Sequence, residues 1–137
     1  MLINYNDLLF LSKKVTGIIH IGAHELEELP CYLKANISNV IWIEANPQKY
    51  NFIEGKLKKF ANMTLGKFAA GRIAEKKFLN LATNGESSSL LEFGTHKERY
   101  PHINYTSKIE VETKILDNWL DENFTNKKIY NFINIDI

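Results

Sequence analysis

Apolar residues in this chain gather in short dense runs, and the runs alternate with stretches in which apolar positions recur at helical spacing. Ile18, Ile19 and Ile21 surround His20, and Val40, Ile41, Trp42 and Ile43 make a second run. Short β-branched runs bounded by turn residues suit strands buried on both faces of a parallel sheet. The pattern predicts strands over 17–21, 40–44 and 64–68, another over 77–81, strand-like alternation in KIEVETKIL (108–116), and a fourth parallel strand in IYNFINIDI (129–137). Asn6 or Asp7 is placed to cap a lead-in helix reaching Lys14. A helix over 28–36 begins near Pro30, because proline is tolerated only in a first helical turn. A helix from Pro47 to Phe60 sets Tyr50, Ile53, Leu57 and Phe60 on one face, a stripe that reads as core, and Asp117 to Glu122 makes a short helix.

Strands alternating with helices predict a three-layer α/β sandwich around a mostly parallel sheet. The chain of 137 residues, 45% hydrophobic, can bury one core, so residues 1–137 read as a single domain with 1–16 as a lead-in helix. Within it, an apolar strand enters a loop at Gly22, a helix follows, and a second apolar strand ends in Glu44, about 20 residues after the glycine. That is how a Rossmann-like domain holds an adenosine-bearing cofactor: the small residues Gly22 and Ala23 allow close approach, and the Glu44 carboxylate can accept from both hydroxyls of a ribose. On the G-x-G-x-x-G pattern only Gly22 matches, and Leu26 stands where a late glycine is expected. A pyrophosphate needs close backbone approach and a positive environment, whereas the loop carries Glu25, Glu27 and Glu28. A cationic sulfonium tolerates these carboxylates, so S-adenosylmethionine is the expected cofactor and NAD the less favoured one.

Charge and composition narrow the classes further. A net charge of +1, with both signs spread along the chain, gives no basic stripe for nucleic acid, and Lys56, Lys58 and Lys59 read as a solvated helix face. The single cysteine, Cys31, excludes an intramolecular disulfide and reads as a packed thiol. The N-terminal apolar stretch is too short for a membrane span and lacks a small-residue cleavage site, which points to a cytoplasmic location without membrane contact. Four scattered histidines with no H-x-H or H-E-x-x-H pattern give no expectation of a zinc site.

Methyl transfer needs donor and acceptor in line and a group to take the acceptor proton. Asp136, ending a buried strand at the carboxyl edge of the sheet, is the candidate base, substrate anchor or metal ligand. His20 and His24 flank the loop and can reach the methionine carboxylate or the acceptor, although a histidine inside an apolar strand more often belongs to the core. Ala69 and Ala70, after the third strand, are small enough for an adenine ring to lie against them. The polar stretch 83–107, which includes His96 and His102, reads equally as a substrate loop or a disordered excursion.

In order and spacing these segments resemble the FkbM-type S-adenosylmethionine-dependent methyltransferases. The matching residues are IIHIGAHELEE (18–28), WIEANP (42–47), AAG (69–71), SSSLL (87–91), VETKILDNWL (111–120) and FINIDI (132–137). His20 stands where many Rossmann methyltransferases carry an acid, and Leu26 where family members often have glycine. The resemblance implies cofactor contacts from His20, Gly22, Ala23, His24, Glu25, Glu44, Ala45, Asn46, Ala69, Ala70, Ser88 and Asp136, with Asp136 catalytic; it assigns no metal ligand and leaves metal dependence open. It implies O-methylation of a hydroxyl on a sugar or small metabolite, with a small molecule or glycan as acceptor. Family members continue past the Asp136 motif, so the sheet is expected to be incomplete at the C-terminus, the chain resembling the front portion of such an enzyme. Two alternatives stand beside this: a catalytically silent module that binds a nucleoside cofactor or a partner chain, with an exposed edge strand favouring a homo-oligomer, and an NAD-dependent oxidoreductase.

Overall fold

A computed structural model describes residues 6, 7, 9, 14–82 and 105–137. Asn6, Asp7 and Leu9 are helical, and the rest of the expected lead-in helix lies outside the described residues up to Lys14. In chain order the elements are β1 (Ile18–Ile21), α1 (Leu29–Lys34), β2 (Val40–Glu44), a 3-10 turn (Pro47–Lys49) running into α2 (Tyr50–Leu57), β3 (Met63–Lys67), β4 (Ala69–Ala70), β5 (Glu75–Ala82), β6 (Tyr105–Lys114), α3 (Leu116–Asn123), a second 3-10 turn (Lys127–Ile129) and β7 (Phe132–Ile135).

Four strands form one parallel sheet in the order β3-β2-β1-β7. The register sets Ile18 beside Val40 and Phe132, and His20 beside Trp42 and Asn134. Side chains alternate across the strands, so two cores form. On one face Ile18, Val40 and Trp42 pack with Leu29 and Tyr32 of α1 and with Ile53 and Leu57 of α2. On the other, Ile19, Ile41 and Ile43 pack with Phe68 and with Leu120 of α3, and Trp119 and Phe124 join from the side. Helices on both faces of a mostly parallel sheet make this a Rossmann-like α/β fold. The apolar stripe read from sequence divides along α2: Ile53 and Leu57 are buried, while Phe60 packs against the same core after the helix has ended.

The sequence pattern did not separate a second sheet. The strand expected over 77–81 is part of β5, which pairs antiparallel with β6, while the two-residue β4 adds to β6 in parallel. Strands with alternating apolar and polar positions bury one face only, and antiparallel pairing accommodates that. Thr113 of β6 fastens the turn before β5: its hydroxyl donates to the Ile73 carbonyl at 2.7 Å and accepts from the Glu75 N–H at 3.1 Å. The buried face of this small sheet, Leu79, Leu81 and Val111, packs against Ala45, so it flanks the segment just beyond the carboxyl end of β2. Within the four-stranded sheet β7 has β1 as a neighbour on one side, and its Ile133 and Ile135 are half-exposed. Among the described residues no helix is long and apolar enough to cross a membrane.

Candidate functional site

β2 and β3 lie on one side of β1 and β7 on the other, so the strand order reverses at β1. In sheets of this type the crevice for a ligand opens at the carboxyl ends of the strands flanking such a reversal. The residues there are Gly22 to Glu28 after β1, Glu44 to Asn46 after β2, and Asp136 after β7.

Gly22 is fixed by a neighbour in its own chain. Its φ is +92°, and a Cβ at this position would stand 1.8 Å from the carbonyl oxygen of Asp136. The Asp136 N–H in turn donates to the Ile21 carbonyl at 2.8 Å, locking the end of β7 against the start of the loop. The N–H groups of Gly22 and Ala23 both donate to the Ile43 carbonyl, at 2.8 and 3.0 Å. These two donors therefore tie the loop to β2.

Glu44 spans the crevice. One carboxylate oxygen accepts from the His24 N–H at 2.7 Å and the other from the Asn46 N–H at 2.8 Å. A carboxylate offers about four lone-pair sites, so each oxygen retains one acceptor position. Asn46 is buried and its side-chain oxygen accepts from the Gln48 N–H at 3.0 Å, which caps the 3-10 turn. The Ala45 carbonyl accepts from the Tyr50 hydroxyl at 3.2 Å. Burial, with the Glu44 and Glu112 carboxylates adding to it, pushes that hydroxyl up to about 12.

The loop itself carries two residues in left-handed backbone conformation, His24 at φ 49° and Leu26 at φ 63°. Leu26 is the position at which the resembled family often has glycine, and the dihedral gives a reason for that choice. Here the Leu26 side chain is buried in the core on the α1 face, which offsets the strain. His24 Nδ1 lies 2.6 Å from Glu27 Oε1, and the hydrogen bond from His24 holds the Glu27 carboxyl below its ordinary range against an opposing effect of burial. Glu25 is exposed and accepts from Lys49 Nζ at 3.1 Å.

His20 turns into the core on the α1 face, beneath the loop, and is fully buried. Its ring sits 4.8 Å from that of Trp42, and its Nδ1 is 2.7 Å from the Tyr32 hydroxyl, to which Asn134 also donates at 3.0 Å. Burial lowers the His20 pKa to about 4 and lifts that of Tyr32 well above the ordinary range. The imidazole is therefore neutral at physiological pH. Its Nε2 faces the buried carboxylate of Glu28 at 3.7 Å, and burial raises the Glu28 pKa.

Of the residues expected at the site, Gly22, Ala23, His24, Glu25, Glu44, Ala45, Asn46 and Asp136 gather at the carboxyl ends of β1, β2 and β7. Ala69 and Ala70 belong to β4 of the second sheet, paired with Thr113 and Lys114, and are not a continuation of β3. Ser88 and the serine cluster 87–89 lie outside the described residues, as do His96 and His102. Sequence reasoning counted Glu28 only as one of the loop's acidic neighbours. Its burial at the head of α1, close to His20 and Asp136, depends on strand pairing that the local pattern does not encode. Cys31 is partly buried against the α1-face core, and burial pushes its thiol up, away from nucleophilic character. No family model, curated protein sequence or solved structure matches this chain.

Proposed function

We propose that the chain binds S-adenosylmethionine at the carboxyl ends of β1 and β2 and acts as a methyltransferase on a hydroxyl of a small molecule or glycan. The observation that carries the reading is Glu44: a carboxylate at the end of the second strand, beside the strand-order reversal, bridging the two loops and keeping acceptor capacity on both oxygens. A ribose offers two adjacent hydroxyls as donors, which matches that capacity. Ala45, held between Glu44 and the small sheet, gives an apolar wall next to the ribose position on which a purine can lie.

The loop favours a sulfonium over a pyrophosphate. The Gly22 and Ala23 N–H groups are already engaged by the Ile43 carbonyl and the His24 N–H by Glu44, so they are not donors for phosphate oxygens. The nearby side chains Glu25 and Glu27 are acidic, and they attract a cation and repel an anion. In this reading Asp136 is the group within reach of an acceptor hydroxyl, where a carboxylate can hold the departing proton.

The test is calorimetric titration of the full chain with S-adenosylmethionine, S-adenosylhomocysteine and NAD, repeated with Glu44→Gln. Binding of the two sulfur compounds but not NAD, weakened at least about tenfold by the substitution, is the expected result, since one lost charge-assisted hydrogen bond is worth about 1.5–3 kcal/mol. Binding of NAD alone, or of none of the three, refutes the reading.

A further inference from the structure

A second site lies beneath the loop. A ring nitrogen of His20 and carboxylate oxygens of Glu28 and Asp136 all stand within 4.8 Å of one another, with His20 and Glu28 buried and Asp136 half-buried. Among the described residues neither His20 Nε2 nor Glu28 Oε1 has a hydrogen-bond partner. Buried polar atoms are nearly always paired, and an orphaned imidazole nitrogen beside a carboxylate that also has an orphaned oxygen is a rare combination. The separation of 3.7 Å between His20 Nε2 and Glu28 Oε2 is too long for a hydrogen bond. It suits two ligands of one ion: metal–ligand bonds of 2.0–2.2 Å at tetrahedral geometry place donor atoms about 3.4 Å apart.

We propose that His20, Glu28 and Asp136 form a binding site for a divalent first-row transition-metal ion. One imidazole with two carboxylates is a donor set for zinc, iron, manganese or cobalt, whereas magnesium and calcium prefer all-oxygen surroundings. The other side of the imidazole is already arranged for the role. A ligating histidine binds through one nitrogen and donates from the other to a neighbouring group that fixes the ring. Here Nδ1 is 2.7 Å from the Tyr32 hydroxyl, and Asn134 of β7 holds that hydroxyl from the far side at 3.0 Å. With Nδ1 protonated toward Tyr32, the Nε2 lone pair is left for a ligand on the side of the Glu28 carboxylate. The ion would join β1, the head of α1 and the end of β7, three elements that meet where the strand order reverses.

This site does not depend on the methyltransferase reading, because its test uses the metal alone. The full chain, stripped with a chelator and dialysed, is titrated with Co²⁺ while visible absorption is recorded, and its thermal midpoint is followed against Zn²⁺. The site predicts one ion per chain, visible ligand-field bands, and a midpoint that rises with Zn²⁺. Glu28→Gln and Asp136→Asn should each weaken binding by about tenfold or more, given that loss of even an outer partner of a ligand costs 10–100-fold. Glu27→Gln, in the exposed cluster with His24 and Glu25, should change it less than about twofold. Circular dichroism confirms folding of each variant, and Asp136→Asn, at the less buried position, keeps the test decisive should Glu28→Gln fail to fold. Absence of binding overturns the proposal, as does binding that survives both substitutions or falls only with Glu27→Gln.

Discussion

Replacing Gly22 by alanine separates two reasons for a glycine at this place. If the residue serves only to admit a ligand, Gly22→Ala leaves the fold intact and weakens binding. The structure predicts damage to the fold itself. The added Cβ would lie 1.8 Å from the Asp136 carbonyl oxygen, where ordinary contact begins near 3.4 Å, so the end of β7 has to move by roughly 1.5 Å. That movement breaks the 2.8 Å bond from the Asp136 N–H to the Ile21 carbonyl, a loss of about 1 kcal/mol. Forced packing adds about 1–3 kcal/mol, and an alanine at φ +92° adds about 1–2 kcal/mol. The smaller conformational freedom of alanine in the unfolded chain returns about 0.4–1 kcal/mol. The net expectation is a loss of about 2–5.5 kcal/mol, a large share of the 5–15 kcal/mol typical of a whole domain. Urea unfolding followed by far-UV circular dichroism measures it, with a lowered midpoint and an unchanged slope. A variant within about 0.5 kcal/mol of wild type would show that β7 does not press on Gly22, and the placement of Asp136 at the site would fall with it.

Two further substitutions address the loop. Leu26 combines a left-handed backbone with a buried side chain, so Leu26→Ala should cost about 2–5 kcal/mol through the cavity. Leu26→Gly should be no less stable than Leu26→Ala, reversing the usual glycine penalty of about 0.5–1 kcal/mol, because glycine relieves the dihedral strain. A glycine variant clearly below the alanine variant in urea unfolding would contradict the conformation at 26. Glu44→Ala should destabilise the fold by about 1–3 kcal/mol, since it strips acceptors from the His24 and Asn46 N–H groups. Unchanged stability would show that Glu44 does not bridge the loops, and for this reason Glu44→Gln is the better probe of binding.

The runs that became β1 and β2 were legible because strands buried on both faces are apolar almost throughout, and β7 was legible as a strand, but the order of the three in the sheet was not. Glu44 was legible from its offset to the glycine loop. The second sheet was not, because alternation in 75–82 and 108–114 shows that one face is buried without showing against what. The reason for Gly22 was also hidden: it comes from a strand at the other end of the chain, which no local window connects to the loop. Glu28 was read as one of several acidic neighbours because buried glutamates are uncommon. Only the pairing of β1 with β7 reveals that it shares a pocket of polar atoms with His20 and Asp136. His20 was legible in part, since a histidine inside an isoleucine run reads first as core, and its partners Tyr32 and Asn134 come from α1 and β7.

The central claim is that an adenosine-bearing methyl donor sits at the carboxyl ends of β1 and β2. Backbone amide spectra of the labelled chain, recorded while S-adenosylhomocysteine is added, test it most directly. The account predicts saturable shifts concentrated at His24, Glu44, Ala45 and Asn46, with residues of β5 and β6 remote from Ala45 unmoved. Shifts confined to the small sheet, or no shifts at millimolar ligand, would contradict it.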